Sequence, residues 1–324
     1  MSQSFRTVVA DRGDAGVRLD RVLRRHLADL DTATRTRVQA WIADGRVTVN
    51  GAAVRRVSTR AAVGDLVSVV VPEAPPRRAM LAERAALAIL FEDDHLLAID
   101  KPAGIVVHPT YRHPAGTLMN ALLWHARAWP RGQRPSIVGR LDKLTSGIVV
   151  VAKTAGVHAA LQRADRRGAT KDYLAVVYGR VPARGTIDLR LALNARDRRH
   201  VVASADTGAA SVTEFERLAR AHARRAGLAL LRCRLLTGRR HQIRVHLAAR
   251  GWPIVGDPVY GEPRWMQVED PRLSAALRAF PRQALHAHRV AFAHPRTGTL
   301  VEIHAPPPDD LRGLLAAAAL RTHE

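Results

Sequence analysis

Residues 139–152 read Gly139-Arg140-Leu141-Asp142-Lys143-Leu144-Thr145-Ser146-Gly147, followed without a break by Ile148-Val149-Val150-Val151-Ala152. A β-branched apolar run of this length, bounded by glycine, predicts a buried strand over 148–152. The loop ahead of it sets one carboxylate, Asp142, between the cations Arg140 and Lys143, with the hydroxyls of Thr145 and Ser146 just beyond. An aspartate in such a loop is ordinarily a turn or capping residue. Flanking cations alter its chemistry, because they favour the ionised carboxylate that a nucleophile or base requires. Gly147 permits a sharp turn or a close backbone approach. Asp142 is therefore the first candidate for an active-site carboxylate.

Working outward, strand composition recurs at 96–99, 105–107, 172–178, 228–235, 285–292 and 299–303. Helices are predicted near 118–128 and 155–166, with Thr117 and Thr154 as N-caps, and a short helix follows Pro306-Pro307-Pro308. Strands alternating with helices, then a strand-rich second half, predict an α+β domain over 88–324 built on a mostly antiparallel sheet. Upstream, PEAPPRRAMLAERAAL reads as a Pro-rich connection, with the linker set at 73–87.

Before that linker lies a small module, 15–72, preceded by a tail, 1–14. Leu19, Val22, Leu23 and Leu27 follow helical spacing, as do Val38, Trp41 and Ile42. Asp31, Thr32 and Thr34 offer capping oxygens between the two helices. A short strand over 46–49 runs into Asn50-Gly51, a pair suited to a tight hairpin turn, and a further strand covers 66–71. So small a core leaves no room for a pocket, so the module is expected to bind a surface. Arg18, Arg21, Arg24, Arg25, Arg35, Arg37 and Arg46 lie mostly off its apolar stripe.

Charge points the same way. Lys and Arg outnumber Asp and Glu by 51 to 29, for a net charge of +22. Such a surplus predicts a polyanionic partner, although an arginine excess can also follow genome composition. No apolar leader or bilayer-length run is readable, so a cytoplasmic protein without a membrane partner is expected. A lone Cys233 excludes an intrachain disulfide and any multi-cysteine metal site. The 15 histidines are scattered without metal-ligand spacing, and His241 and His246, five apart, miss the spacing of a helical metal pair. No metal site is expected.

Longer strings are more specific. VRLDRVL (17–23), TRTRVQAWIADGRVTVNG (34–51) and VGDLVSV (63–69) together resemble an S4 RNA-binding domain, with Thr36 where Ser is usual. That resemblance implies RNA contacts from Arg18, Arg35, Arg37 and Arg46. RLDKLTSG with VVVAKT (140–154) resembles the catalytic motif of the RluA-type pseudouridine synthases. AIDKPAGIVVHP (98–109), KDYLAVVYG (171–179), LTGRRHQIRVHLAARGWPIVGDPVYG (236–261) and QALHAHRVAFAHPRTG (283–298) resemble the same family in the same order. One departure is Gly139, where many relatives carry His.

The resemblance implies isomerisation of uridine to pseudouridine in structured RNA. The S4 fusion implies the subgroup acting on large-subunit (23S) ribosomal RNA. It implies Asp142 as the catalytic residue, Tyr173 stacked on the target base, Ile243 packed under it, Arg244 paired with Asp142, and Arg140 filling the gap left by a flipped uridine. It implies no redox cofactor, metal or nucleotide cofactor, and a monomer whose partner is RNA. Transfer RNA is the alternative substrate, and a non-catalytic RNA-binding or ribosome-assembly factor the alternative class. A glycosidase fits poorly, since that chemistry uses two carboxylates across the scissile bond and Asp142 has cations for sequence neighbours.

Overall fold

The computed structural model describes residues 4–30, 32–72, 80–110, 113–166, 169–197, 200–221 and 227–320, divided between two units, Met1–Ala79 and Met80–Glu324. The first unit contains strands β1 (Ser4–Val9), β2 (Val47–Val49), β3 (Ala52–Val54) and β4 (Leu66–Val71), with helices α1 (Leu19–His26) and α2 (Arg35–Ala43). The helical spacing seen in sequence closes one face of each helix. Leu19, Val22 and Leu23 of α1 join Val38, Trp41 and Ile42 of α2 and Val47, Val67 and Val69 of the sheet in one core. Asn50 and Gly51 both take positive φ, 50° and 83°, as a two-residue turn between β2 and β3 demands. Thr34 caps α2 by accepting from Arg37 N; Asp31 lies outside the described residues.

Two boundaries differ from expectation. The stretch 1–14, read as a tail, contains β1, which pairs antiparallel with β4 from Ser4↔Val71 to Val9↔Leu66 and gives the sheet order β1-β4-β2-β3. The run SFRTVV favours a strand but is exposed along most of its length, so it lacks the alternation that marks a half-buried strand. Of the linker, 73–79 lie outside the described residues, while 80–87 belong with the second unit. There Asn120 Nδ2 donates to Leu81 O at 2.7 Å, Glu83 N donates to Asn120 O at 3.0 Å, and Gly116 N donates to the Glu83 carboxylate at 2.8 Å.

The second unit runs β5 (Ala88–Glu92), β6 (Leu96–Lys101), α3 (Leu118–His125), β7 (Ser136–Val138), β8 (Ser146–Ala152), α4 (Ala155–Arg166), β9 (Thr170–Tyr178), β10 (Arg184–Asp188), β11 (Arg190–Leu193), β12 (Val201–Ser204), β13 (Val212–Ala221), β14 (Leu228–Leu235), α5 (Gln242–Ala249), α6 (Pro271–Ala279), β15 (Leu285–Ala293), β16 (Leu300–His304) and α7 (Asp309–Ala317). Among the described residues, ten strands form one sheet along the path β10-β13-β14-β9-β15-β8-β6-β5, with β16 added to β15 and β7 to β8. Every pairing in it is antiparallel except β15 with β8. β11 and β12 form a separate hairpin.

Strands β6 and β8 carry unbroken apolar runs, at 96–99 and 148–152, because helices cover both faces. Leu97, Ile99, Val149 and Val151 pack with Leu118, Met119 and Leu122 of α3 on one side. Leu96, Ala98, Ile148 and Ala152 pack with Val157 and Leu161 of α4 on the other. Each fully buried aliphatic side chain contributes roughly 1.5–3 kcal/mol. Residues 105–107, expected as a strand, instead spend their carbonyls on the start of α3: Leu118 N donates to Val106 O and Met119 N to Val107 O. These N–H groups have no partner within the helix. A third cluster seats α5 against β9 and β14 through Ile243, Leu247, Leu174, Val176 and Leu230. No helix among the described residues is long and apolar enough to cross a membrane.

Gly147 sits where β15 runs parallel to β8, at φ 109°, and a Cβ there would lie 2.2 Å from Ala287 O. Gly147→Ala is expected to destabilise the second unit by on the order of 3 kcal/mol, since backbone strain and overlap act together. A urea midpoint equal to wild type would contradict this close approach.

Candidate active site

The site is assembled on the loop between β7 and β8. Gly139 opens it at φ 82°, a conformation that suits glycine at this position, and Thr145 N closes a turn onto Asp142 O at 3.1 Å. Two buried cations hold the loop by its carbonyls. Lys101, 0 % exposed, donates from Nζ to Pro102 O at 2.8 Å, Ile105 O at 3.2 Å and Lys143 O at 3.3 Å. Burial, reinforced by Arg282, pushes this lysine down to about 8, against the pull of Asp142 and Asp100. Arg282 reaches Leu144 O from Nη1 at 3.3 Å while Nε and Nη2 grip Asp310 of α7 at 2.6 and 2.9 Å. The turn that presents Asp142 is therefore fixed from beneath.

The first turn of α5 supplies the facing group. Arg244 Nη1 donates to Asp142 Oδ2 at 2.9 Å, with the arginine side chain 5 % and the aspartate side chain 17 % exposed. The other prongs of the same guanidinium bind Asp257, from Nε to Oδ2 at 2.6 Å and from Nη2 to Oδ1 at 2.8 Å. Asp257 Oδ1 also accepts from Val259 N at 2.9 Å and Tyr260 N at 3.0 Å. Burial alone would raise the Asp257 carboxyl, but Arg244 and these backbone donors hold it below its ordinary value. Burial works against the Arg244 cation, and the two carboxylates more than offset that, so it stays charged. Asp257 thus sets the plane of the guanidinium and leaves one prong aimed at Asp142.

His241, just ahead of α5, lies 3.7 Å from Asp142 Oδ1 through Nε2 and 2.9 Å from the Tyr260 hydroxyl through Nδ1. Burial pushes His241 down to about 4; Asp142 opposes this, and Arg244, Arg240 and Arg140 add to it. The imidazole is neutral at neutral pH, so its approach to Asp142 is not an ion pair.

A cavity of about 140 Å³ brings together all five residues expected at the site: Arg140, Asp142, Tyr173, Ile243 and Arg244 line it. Arg140 is exposed at its edge, Tyr173 is half-buried and Ile243 is buried. A second cavity, of about 530 Å³, shares Asp142, Arg140, His241 and Arg244 and extends to His108 and Lys143. A larger one, of about 690 Å³, is lined by Arg180, Arg217 and Arg220 and has no carboxylate in its described wall. His108 is exposed on the second cavity.

Three residues were missed in sequence. Asp257 and Tyr260 stand inside the quoted string 236–261, where a Gly-Asp-Pro reads as an ordinary turn. His241 was weighed only as a metal ligand with His246, and His246 is buried away from it, against Thr213 Oγ1 at 3.0 Å. Arg18, Arg35, Arg37 and Arg46 belong to the first unit. Arg18 is tied to the buried Asp20 by two contacts, at 2.9 and 3.2 Å; Arg35 is exposed, Arg37 half-buried, and Arg46 lies 3.9 Å from Asp44. Among the described residues, Asp11, Asp14 and His26 have the spacing of a metal site, but Arg25 binds both carboxylates and supplies the cation.

Chemically, the arrangement is a carboxylate oriented by a permanent cation beside a small, partly apolar cavity. The nearby second carboxylate, Asp257, lies beyond Arg244 with both oxygens engaged, which is not the opposed pair of a glycosidase.

Comparison with known proteins agrees. Residues 95–249 match the family described as RNA pseudouridylate synthase, and 17–67 match the S4 domain. The chain is 40% identical over 303 residues to Ribosomal large subunit pseudouridine synthase D of Pseudomonas aeruginosa, covering 93% of this chain and 92% of that protein. It is 40% identical over 320 residues to the protein of the same name from Xanthomonas campestris, covering 98% and 93%. Among solved structures, Human RNA Pseudouridylate Synthase Domain Containing 1 superposes with a TM-score of 0.55 at 26% identity, over 72% of this chain and 90% of that one.

Proposed function

The chain belongs to the RNA pseudouridine synthase family, and from that premise we propose that it isomerises specific uridines to pseudouridine in large-subunit (23S) ribosomal RNA, with Asp142 as the catalytic carboxylate. The observation that carries this reading is the single guanidinium of Arg244 shared between Asp142 and Asp257 at the mouth of a base-sized cavity. The target uridine leaves its stack, because C1′ and C5 cannot both be worked on inside a helix, and Arg140 fills the gap. The base enters between Tyr173 and Ile243. Asp142 initiates cleavage of the N1–C1′ bond, the uracil turns, and C5 bonds to C1′. N1 gains a proton and C5 loses one, with Tyr173 the candidate acceptor, so the reaction balances without oxidant, metal or nucleotide. The reaction requires that the detached base be kept from escaping while it turns.

The protein acts as a monomer in the cytoplasm, with RNA its partner and the first unit its anchor. Mapping uridine isomerisation across total RNA, with and without the gene, tests the substrate. Sites lost from large-subunit rRNA support the reading, and sites lost only from transfer RNA overturn it. Deleting residues 1–72 is expected to weaken binding to folded rRNA and to lower the slope of log affinity against log salt by about 3, as three or four arginine–phosphate contacts disappear. The second unit has its own core and is expected to stay folded. An unchanged affinity and salt slope would remove the first unit as an anchor.

A further inference from the structure

His241 takes left-handed backbone, φ 55°, immediately before α5, and its side chain makes no capping hydrogen bond. Among residues other than glycine, asparagine, aspartate and histidine enter that backbone most readily, so local conformation admits an imidazole here without selecting it. Its neighbours supply the reason. The backbone N–H of Val201, in β12, donates to the Tyr260 hydroxyl oxygen at 2.9 Å. An amide N–H can only donate, which leaves the phenolic proton for another acceptor. His241 Nδ1, at 2.9 Å, is that acceptor. Burial holds Tyr260 above its ordinary value, so the phenol keeps its proton. A neutral imidazole that accepts at Nδ1 carries its own proton on Nε2, and Nε2 is the atom facing Asp142 Oδ1 at 3.7 Å.

We propose that His241 is a positioning residue for Asp142, fixed as the Nε2–H tautomer by the relay from Val201 through Tyr260, so that a neutral donor faces Oδ1 while Arg244 holds Oδ2. The proposal rests on Asp142 being the reacting carboxylate. A separation of 3.7 Å exceeds a hydrogen bond, and catalytic contacts commonly tighten from such distances when substrate fills the site. The charged groups around the imidazole are Asp142, Arg244, Arg240 and Arg140. With Arg244 already supplying the cation, a neutral donor limits rotation of the carboxylate without pairing off its charge. The hairpin β11–β12 thereby gains a line of contact to the reacting group through one backbone amide.

The test uses the full chain and a 23S rRNA transcript. Glutamine places its amide nitrogen near the position of imidazole Nε2, and asparagine near Nδ1. His241→Gln is expected to keep most of the single-turnover rate. His241→Asn is expected to lose roughly 10²-fold, the scale on which a misplaced reacting group costs catalysis, with RNA affinity unchanged. A purely structural role predicts the reverse order, since asparagine suits left-handed backbone better than glutamine. Imidazole ¹⁵N spectra of the wild type should show Nε2 protonated and Nδ1 bare, and Tyr260→Phe should mix the tautomers. An Asn variant matching or exceeding Gln, or an Nδ1-protonated wild type, overturns the proposal. Asp142→Asn run alongside separates the two levels. Its turnover would remove the premise and the proposal together, whereas an inactive Asp142→Asn with Asn matching Gln at 241 removes the proposal alone.

Discussion

Asp142→Asn is expected to abolish pseudouridine formation, by on the order of 10⁴-fold or more, the scale for loss of a group on which the chemistry depends. The amide is nearly isosteric, so the loop keeps its shape. Lys101 and Arg282 hold that loop through the carbonyls of Lys143 and Leu144 rather than through the Asp142 side chain. Arg244 keeps its two-pronged grip on Asp257, and the substitution weakens a single charge-assisted contact, worth about 1.5–3 kcal/mol at most. RNA affinity should stay the same or rise slightly, because one negative charge leaves a surface that meets phosphates. Single-turnover assays with purified protein, beside filter binding and thermal unfolding, check all three. Robust turnover with Asn at 142 would leave the reacting carboxylate unassigned.

The second large effect is at Arg244. Arg244→Lys keeps the charge but loses the planar fork that engages two carboxylates at once. Arg244→Met removes the charge and leaves Asp257, whose side chain is 1 % exposed, as an uncompensated buried anion. Activity is expected in the order wild type, Lys, Met, with Met close to inactive. The Met variant should also lose about 3–5 kcal/mol of stability, as when one partner of a buried pair is deleted. Pairing Arg244→Met with Asp257→Asn removes the stranded charge, so stability should recover in good part while activity does not. The His241 imidazole should titrate higher in the Met variant, because one of the cations that keep it near 4 is gone. RNA binding should fall only modestly, since one arginine paired with Asp142 and Asp257 contributes little to the polyelectrolyte attraction. A double variant that recovers both stability and rate would show that Arg244 serves folding alone.

What the sequence disclosed follows from burial. β6 and β8 are covered on both faces, so each carries an unbroken apolar run, at 96–99 and 148–152, and was legible with nearly correct ends. The helices α1 and α2 were legible because a single face of each is buried. β1 was not, since an edge strand exposed along most of its length carries no alternation. The site divides similarly. Asp142 announces itself through its immediate neighbours, whereas its partner lies 102 residues away, and only the family resemblance of the string around Arg244 linked them. Asp257 acts through a third residue, and no periodicity encodes that. His241 depends on a phenol 19 residues downstream and a backbone amide from another strand, so its tautomer is a property of the fold alone.

The grip of Arg282 on Asp310 also bears on how the protein is made. A chain emerging N-terminus first folds its units in that order. The unit expected to hold RNA is complete long before α7 has been synthesised. The loop of Asp142 is likewise made early, but one of the two buried cations beneath it has its carboxylate partner on that late helix. A nascent chain can therefore acquire its hold on RNA while the loop of Asp142 is still unlatched, until α7 arrives to lock it in place.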